Sequence, residues 1–183
     1  MLIIKNAKLL TMEEQPFEYG DISVEDGKIV DIAQNIEPHN GDEIVDADGL
    51  WALPGIVDAH CHLGMWEDGI GEEGADGNES VDPLTPALRA IDAINPLDHS
   101  FVEAREHGVT SVLTGPGSAN VLGGLFVAIK TAGKRVDDMI IRDPVALKAA
   151  FGENPKRVYG EQKKSPVTRM ATAACCGRRW WTQ

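Results

Sequence analysis

The chain has 183 residues, 43% hydrophobic and only 5% aromatic, so aliphatic side chains and alanine must fill any core. Its net charge of −12 at pH 7 argues against phosphate-backbone binding, so no nucleic-acid partner is expected. No apolar run reaches the roughly 18 residues of a membrane span, so no membrane partner is expected either.

The three cysteines, Cys61, Cys175 and Cys176, do not make a disulfide framework. The start "MLIIKNAKLL" lacks a signal-peptide pattern, and a cytoplasmic protein is expected. The first fifty or so residues read as β structure. "LIIKNAKLL" is a strand with a turn or bulge at Asn6. "DISVEDGKIVDIA" is a hairpin turning at Asp26-Gly27, and "DEIVDADGLWALPG" adds a short strand and an Asp48-Gly49 turn. Short alternating strands with tight turns predict a small antiparallel sheet or sandwich over 1–53.

The pattern changes at Pro54-Gly55. "IVDAHCHL" is continuously apolar, as a strand buried on both faces would be. A Gly-rich acidic loop follows, from Gly64 to Asp82. "TPALRAIDAIN" predicts a helix capped by Thr85 with Pro86 in its first turn. "DHSFVEAREHG" predicts a second helix, capped by Asp98 and stopped by Gly108. "VTSVLTG" is a buried strand; "GGLFVAIKTAG" and "DMIIRD" are further candidate strands; "PVALKAAFGENP" is ambiguous; "TRMATAA" is helical. Strands alternating with helices predict a parallel α/β layer over 54–174.

The chemistry-bearing stretch is "VDAHCHLG", residues 57–64. Strand side chains alternate, so Asp58, His60 and His62 share one face and Val57, Ala59 and Cys61 the other. At a rise of ~3.3 Å per residue, two imidazoles at i and i+2 can converge on one ion. Imidazole nitrogen suits Zn, Fe, Ni or Mn, so the residues alone leave the metal open.

"LPGIVDAHCHLG", preceded by "VEDGKIVDI", resembles the amidohydrolase superfamily, closest to its imidazolonepropionase-like and prolidase-like branch. "TGPGSANVLGG" and "GENPKRVYGEQKKSPVTRMATAA" fit that branch too, and the resemblance runs from residue 1 to about 174. It implies a (β/α)8 TIM-type barrel carrying a small β-sandwich, of which this chain would hold the sandwich portion and the first βα units, incomplete as a barrel. It implies one or two divalent ions, zinc foremost, with His60 and His62 as ligands. The expected reaction is water activated by the metal attacking a carbon–nitrogen bond of a small-molecule substrate. Asp58 is then expected behind the ligands, orienting them, and Ser118 and Asn120 in the Gly-rich turn are candidates to touch substrate. Some members add a carboxylated lysine, for which Lys148 is the candidate.

The remaining histidines are expected to be structural or solvated: His39 in a polar loop, His99 and His107 on or beside a helix, His107 serving the helix dipole. Two ligands rarely hold a catalytic ion, so the other ligands, and the catalytic residues with them, are expected beyond residue 183. The acidic loop carries Glu67, Asp68, Glu72, Glu73, Asp76, Glu79 and Asp82 without a Lys or Arg. It reads as a solvated lid, or alternatively as an attractor of a cationic substrate or an extra metal.

The segment 175–183, "CCGRRWWTQ", breaks with what precedes it. Read one base earlier, codons for Cys-Cys and Trp-Trp permit "ATAALLREALVDA", an amphipathic helix. A one-base frameshift near Ala174 is the expectation, making this chain the amino-terminal part of a hydrolase with little or no activity. The alternative is a non-catalytic domain that binds metal weakly or is completed by a partner. Exposed barrel edges would then favour homo-oligomers or aggregation.

Overall fold

The computed structural model describes residues 1–14 and 17–181, with side chains through residue 177. The chain divides into two compact units, Met1–Pro54 and Gly55–Gln183.

The first unit is one sheet. Strands β1 (Leu2–Leu9), β2 (Tyr19–Glu25) and β3 (Lys28–Ala33) form the antiparallel meander that their alternation predicts. Asn6, at φ +57°, sits where the β1–β2 register shifts, as a bulge residue should. Asp26 and Gly27, both at positive φ, make the tight hairpin turn. The expected all-antiparallel arrangement is corrected by β4 (Glu43–Asp46) and β5 (Trp51–Ala52). Both run parallel to β1, because the link 34–42 carries the chain across to the far edge. The order is β3-β2-β1-β4, with β5 extending alongside β1.

Ile3, Ala7 and Leu9 are buried. Ile4, Ile22, Val24, Ile29, Ile32 and Val45 line an open apolar groove of about 600 Å³. Where a sandwich is expected, this unit holds one sheet among the described residues. Asp21, 2% exposed, stitches the sheet together. Its carboxylate accepts from the Asn6 and Ile36 amides at 2.9 and 2.8 Å and pairs with the Lys5 ammonium at 2.5 Å.

The second unit is a four-stranded sheet, β6 (Ile56–Cys61), β7 (Val109–Thr114), β8 (Leu122–Lys130) and β9 (Ile140–Ala149), in that order. Only β6 and β7 are parallel; β7–β8 and β8–β9 are antiparallel, which corrects the expected parallel layer, and the described strands close no barrel. The link lengths explain it. A parallel pair needs a crossover of about a dozen residues or more. The link 62–108 between β6 and β7 is long enough and contains helix α1 (Ser100–Glu106), whereas 115–121 after β7 is a short Gly-rich turn that must reverse the chain.

Helix α1 forms where predicted, but its N-cap position is His99, which makes no side-chain capping bond; Asp98, the expected cap, stands one residue before it and accepts the Ser100 amide at 3.1 Å. Phe101 on its inner face joins Met65, Ile94, Val112, Val127 and Ile129 in the core. The helix predicted over "TPALRAIDAIN" does not form; only a single 3-10 turn, Ala90–Asp92, appears. Its backbone groups are taken by β8: Thr85 N–H donates to the Leu122 carbonyl at 2.8 Å, and the Leu125 amide donates to Leu88 at 2.7 Å. Thr85 is therefore no cap, and its hydroxyl also donates to Leu122 O.

The ambiguous "PVALKAAFGENP" resolves into the end of β9 and the start of α3 (Glu153–Glu161). Between β8 and β9 lies a one-turn helix, α2 (Val136–Met139); the last helix, α4 (Arg169–Trp181), runs through Cys175-Cys176. Of the expected aberrant segment 175–183, Thr182 and Gln183 lie outside the described residues. Strand β6 is not buried on both faces: Ile56 and Val57 are 49% and 60% exposed, since among the described residues no further strand pairs its free edge.

Candidate metal centre

His60 ends β6 and His62 follows one residue past it. Their rings meet edge to face, 5.5 Å between centres, so the two imidazoles lie together. On the other face Cys61 packs against the core, and burial pushes its thiol above the ordinary range. Its sulfur lies 3.7 Å from the Leu113 carbonyl.

Each ring has an aromatic support that the sequence reading missed. Phe126 on β8 lies 5.2 Å from the His60 ring, and Trp66 lies 5.2 Å from the His62 ring. Gly115 allows the first of these contacts, because a Cβ there would stand 2.3 Å from the Phe126 ring. The glycines of "TGPG" were the available signal: a close backbone approach demands them.

His62 Nδ1 lies 2.6 Å from the Gly115 carbonyl oxygen. A carbonyl only accepts, so Nδ1 carries the hydrogen and the lone pair is left on Nε2, the nitrogen a cation could use. The His60 ring has no hydrogen bond among the described residues, although its backbone N–H donates to Asp58 Oδ1 at 3.1 Å. Asp58 thus braces the strand backbone at His60.

Lys148 on β9 is 8% exposed, with Nζ 5.9 Å above the Phe126 ring, and burial lowers its pKa. One ring, Phe126, therefore touches both His60 and Lys148. Among the described residues no group of three or more His, Cys, Asp or Glu side chains gathers to hold a metal. The donor set fits half of an ion's coordination sphere: two imidazoles, one with its tautomer fixed.

The other histidines stay apart from the pair. His39 is 3.8 Å from Asp42, His99 is 3.9 Å from Glu103, and His107 Nδ1 lies 2.8 Å from the Glu103 carbonyl at the end of α1.

Ser118 is half-buried in the Gly-rich turn. Asn120 is 2% exposed, and its amide is engaged at both ends: Nδ2 donates to Thr85 Oγ1 at 2.7 Å and Oδ1 accepts from the Tyr159 hydroxyl.

The acidic loop is tied down at several points. Asp76 N–H donates to Met65 O at 3.0 Å, Gly117 N–H to Gly77 O at 2.8 Å, and Ala119 N–H to Asn78 Oδ1 at 3.0 Å. Between loop and turn lies a cavity of about 260 Å³, lined by Asp76, Asn78, Glu79, Arg89, Pro116 and Gly123. Neither histidine of the pair lines it.

Comparison with known proteins agrees with this architecture. A solved amidohydrolase from Thermotoga maritima MSB8 superposes with a TM-score of 0.89 at 46% identity, over 96% of this chain and 45% of that one. Amidohydrolase tasK of Hapsidospora irregularis is 38% identical over 165 residues, covering 82% of this chain and 17% of the relative. Adenine deaminase of Bacillus subtilis is 31% identical over 123 residues, covering 67% of this chain and 16% of the relative. A dihydroorotase of Acetivibrio thermocellus is 45% identical over 62 residues. No family model matches the chain. The chain belongs to the amidohydrolase superfamily. It spans only a small part of the curated relatives it matches, 17% and 16% of the first two.

Proposed function

We propose that the chain carries the amino-terminal half-site of a metal-dependent hydrolase that acts on a carbon–nitrogen bond of a small molecule. The observation that carries this reading is the paired imidazoles, 5.5 Å apart, with His62 held so that Nε2 is open. The names of its relatives, an amidohydrolase, an adenine deaminase and a dihydroorotase, are in keeping with that chemistry. His60 and His62 would hold a divalent ion, with zinc foremost because the chain belongs to the amidohydrolase superfamily rather than because imidazole selects it. When bound, such an ion activates water at neutral pH. The chain's own residues orient the site: Asp58 braces the strand, Phe126 and Trp66 fix the rings, and Ser118 stands on the Gly-rich turn as a substrate contact. Lys148 is the candidate for carboxylation, its neutral amine forming an N–C bond to CO₂ and releasing a proton. A bicarbonate-dependent carbamate resonance that survives in Lys148→Met would sink that assignment.

The test is zinc titration of the metal-stripped 183-residue chain and of His60→Ala and His62→Ala. Saturable one-to-one binding, weakened at least tenfold by either substitution, supports the reading; equal binding by all three overturns it. A second reading, a non-catalytic domain that binds metal weakly, is favoured by the absence of a third convergent ligand among the described residues. Zinc binding without hydrolysis of amide or cyclic-amide substrates favours this second reading.

A further inference from the structure

We propose that Tyr159 and Asn120 form a latch that positions the Gly115 carbonyl against the His62 ring. The latch rests on the reading of His62 as a ligand only for its functional consequence, since its geometry stands apart from any metal. The segment 115–121 contains two glycines and turns without helix or strand, so its own backbone does little to hold it in place. Contacts must fix it. Gly115 N–H donates to Cys61 O at the end of β6 at 3.3 Å, and the acidic loop holds the middle of the turn through Gly117 N–H to Gly77 O and Ala119 N–H to Asn78 Oδ1.

Val121 O accepts the Ala150 N–H at 3.0 Å, and among the described residues Asn120 is the turn's side-chain anchor to a helix. Tyr159 on α3, fully buried, donates its hydroxyl to Asn120 Oδ1. Asn120 Nδ2 then donates to Thr85 Oγ1, and Thr85 donates to Leu122 O at the start of β8. Both ends of the turn meet the histidine site. Gly115 O holds His62 Nδ1, and beyond Leu122 the strand continues to Phe126 beneath His60.

The consequence is a tautomer. A free neutral histidine favours hydrogen on Nε2, which would block that nitrogen to a cation. The Gly115 carbonyl reverses this preference, provided that the turn stays where the latch puts it. Asn120 is then a positioning residue that acts through the turn, with both ends of its amide spent inside the fold.

The test uses the full chain with nitrogen-labelled histidine, at a pH where imidazoles are neutral. Two-bond proton–nitrogen correlations report the tautomer of His62. The wild type should give the Nδ1–H form. Tyr159→Phe and Asn120→Ala should lose it to Nε2–H. Thr172→Ala, which removes another buried hydroxyl from α4, should keep it. A wild type without the Nδ1–H form, folded latch variants that retain it, or the same loss in Thr172→Ala would overturn the latch. If the latch variants do not fold, Thr85→Val, which cuts the chain one link away, supplies the same readout. Zinc affinity should fall about tenfold in Tyr159→Phe, in the range of partners that orient a metal ligand. If wild type and His62→Ala bind zinc alike, the metal reading fails while the tautomer still decides the latch.

Discussion

His62 Nδ1 and the Gly115 carbonyl oxygen stand 2.6 Å apart, joining the end of β6 to the turn after β7. The same glycine gives Phe126 room to lie against His60. Gly115→Ala should destabilise the second unit by ~1–3 kcal/mol, the usual cost of overpacking a close-packed contact. Urea unfolding read by circular dichroism checks it, and an unchanged midpoint would show that the ring moves freely aside.

Asp21 sets an acid limit on the first unit. Burial alone would push its carboxyl up. The Lys5 ammonium and the Ile36 and Asn6 amides outweigh burial and hold it below the usual aspartate value. A depressed folded-state pKa means that its stabilisation is present above the unfolded value of about 3.9 and is lost as pH falls through the folded one. Asp21→Asn should cost about 2 kcal/mol near neutrality and flatten the acid limb below about pH 4, as expected for a buried charge-assisted network. Stability measured against pH for both chains decides it.

Tyr159 sets the opposite limit. Burial, with Asp82 and Glu79 adding to it, pushes its hydroxyl up to about 12. In the unfolded chain the group titrates near 10, so between these values the folded state holds the proton and the unfolded state does not. Stability should therefore fall as pH rises from about 10 toward 12, and Tyr159→Phe should lack that decline. Alkaline denaturant melts of the two chains check the sign directly.

The apolar groove of the first unit leaves Ile29 62% and Val45 46% exposed. A contiguous patch of this kind promotes association. The chain should scatter light increasingly with concentration, and Val45→Lys should reduce that scattering without unfolding the sheet. Equal scattering by both would place the cause elsewhere.

What the sequence made legible was local. The Asp26-Gly27 hairpin, the Asn6 bulge and helix α1 each follow from residues within a few positions of one another. The shared placement of His60 and His62 is also local, set by strand alternation. The missed features are those decided at a distance. The periodicity of Leu88, Ile91 and Ile94 is genuinely helical, but Thr85 and Leu88 spend their backbone groups on β8. The reversal of β7 into β8 depends on link length, which apolar runs do not report. Phe126 meets His60 from 66 positions along the chain and Tyr159 meets Asn120 from 39, and no short motif marks either; Trp66 is only four residues from His62, but the irregular loop that carries it has no periodicity to aim its ring.

The unequal links in the second sheet bear on how it assembles. Strands β7, β8 and β9 are joined through 115–121 and 131–139, whereas β6 must be brought back across 62–108. Closing a longer loop costs more chain entropy. The hairpins should thus zip first and the strand bearing the imidazoles should dock last, with amides in β6 exchanging with deuterium sooner than those in β8.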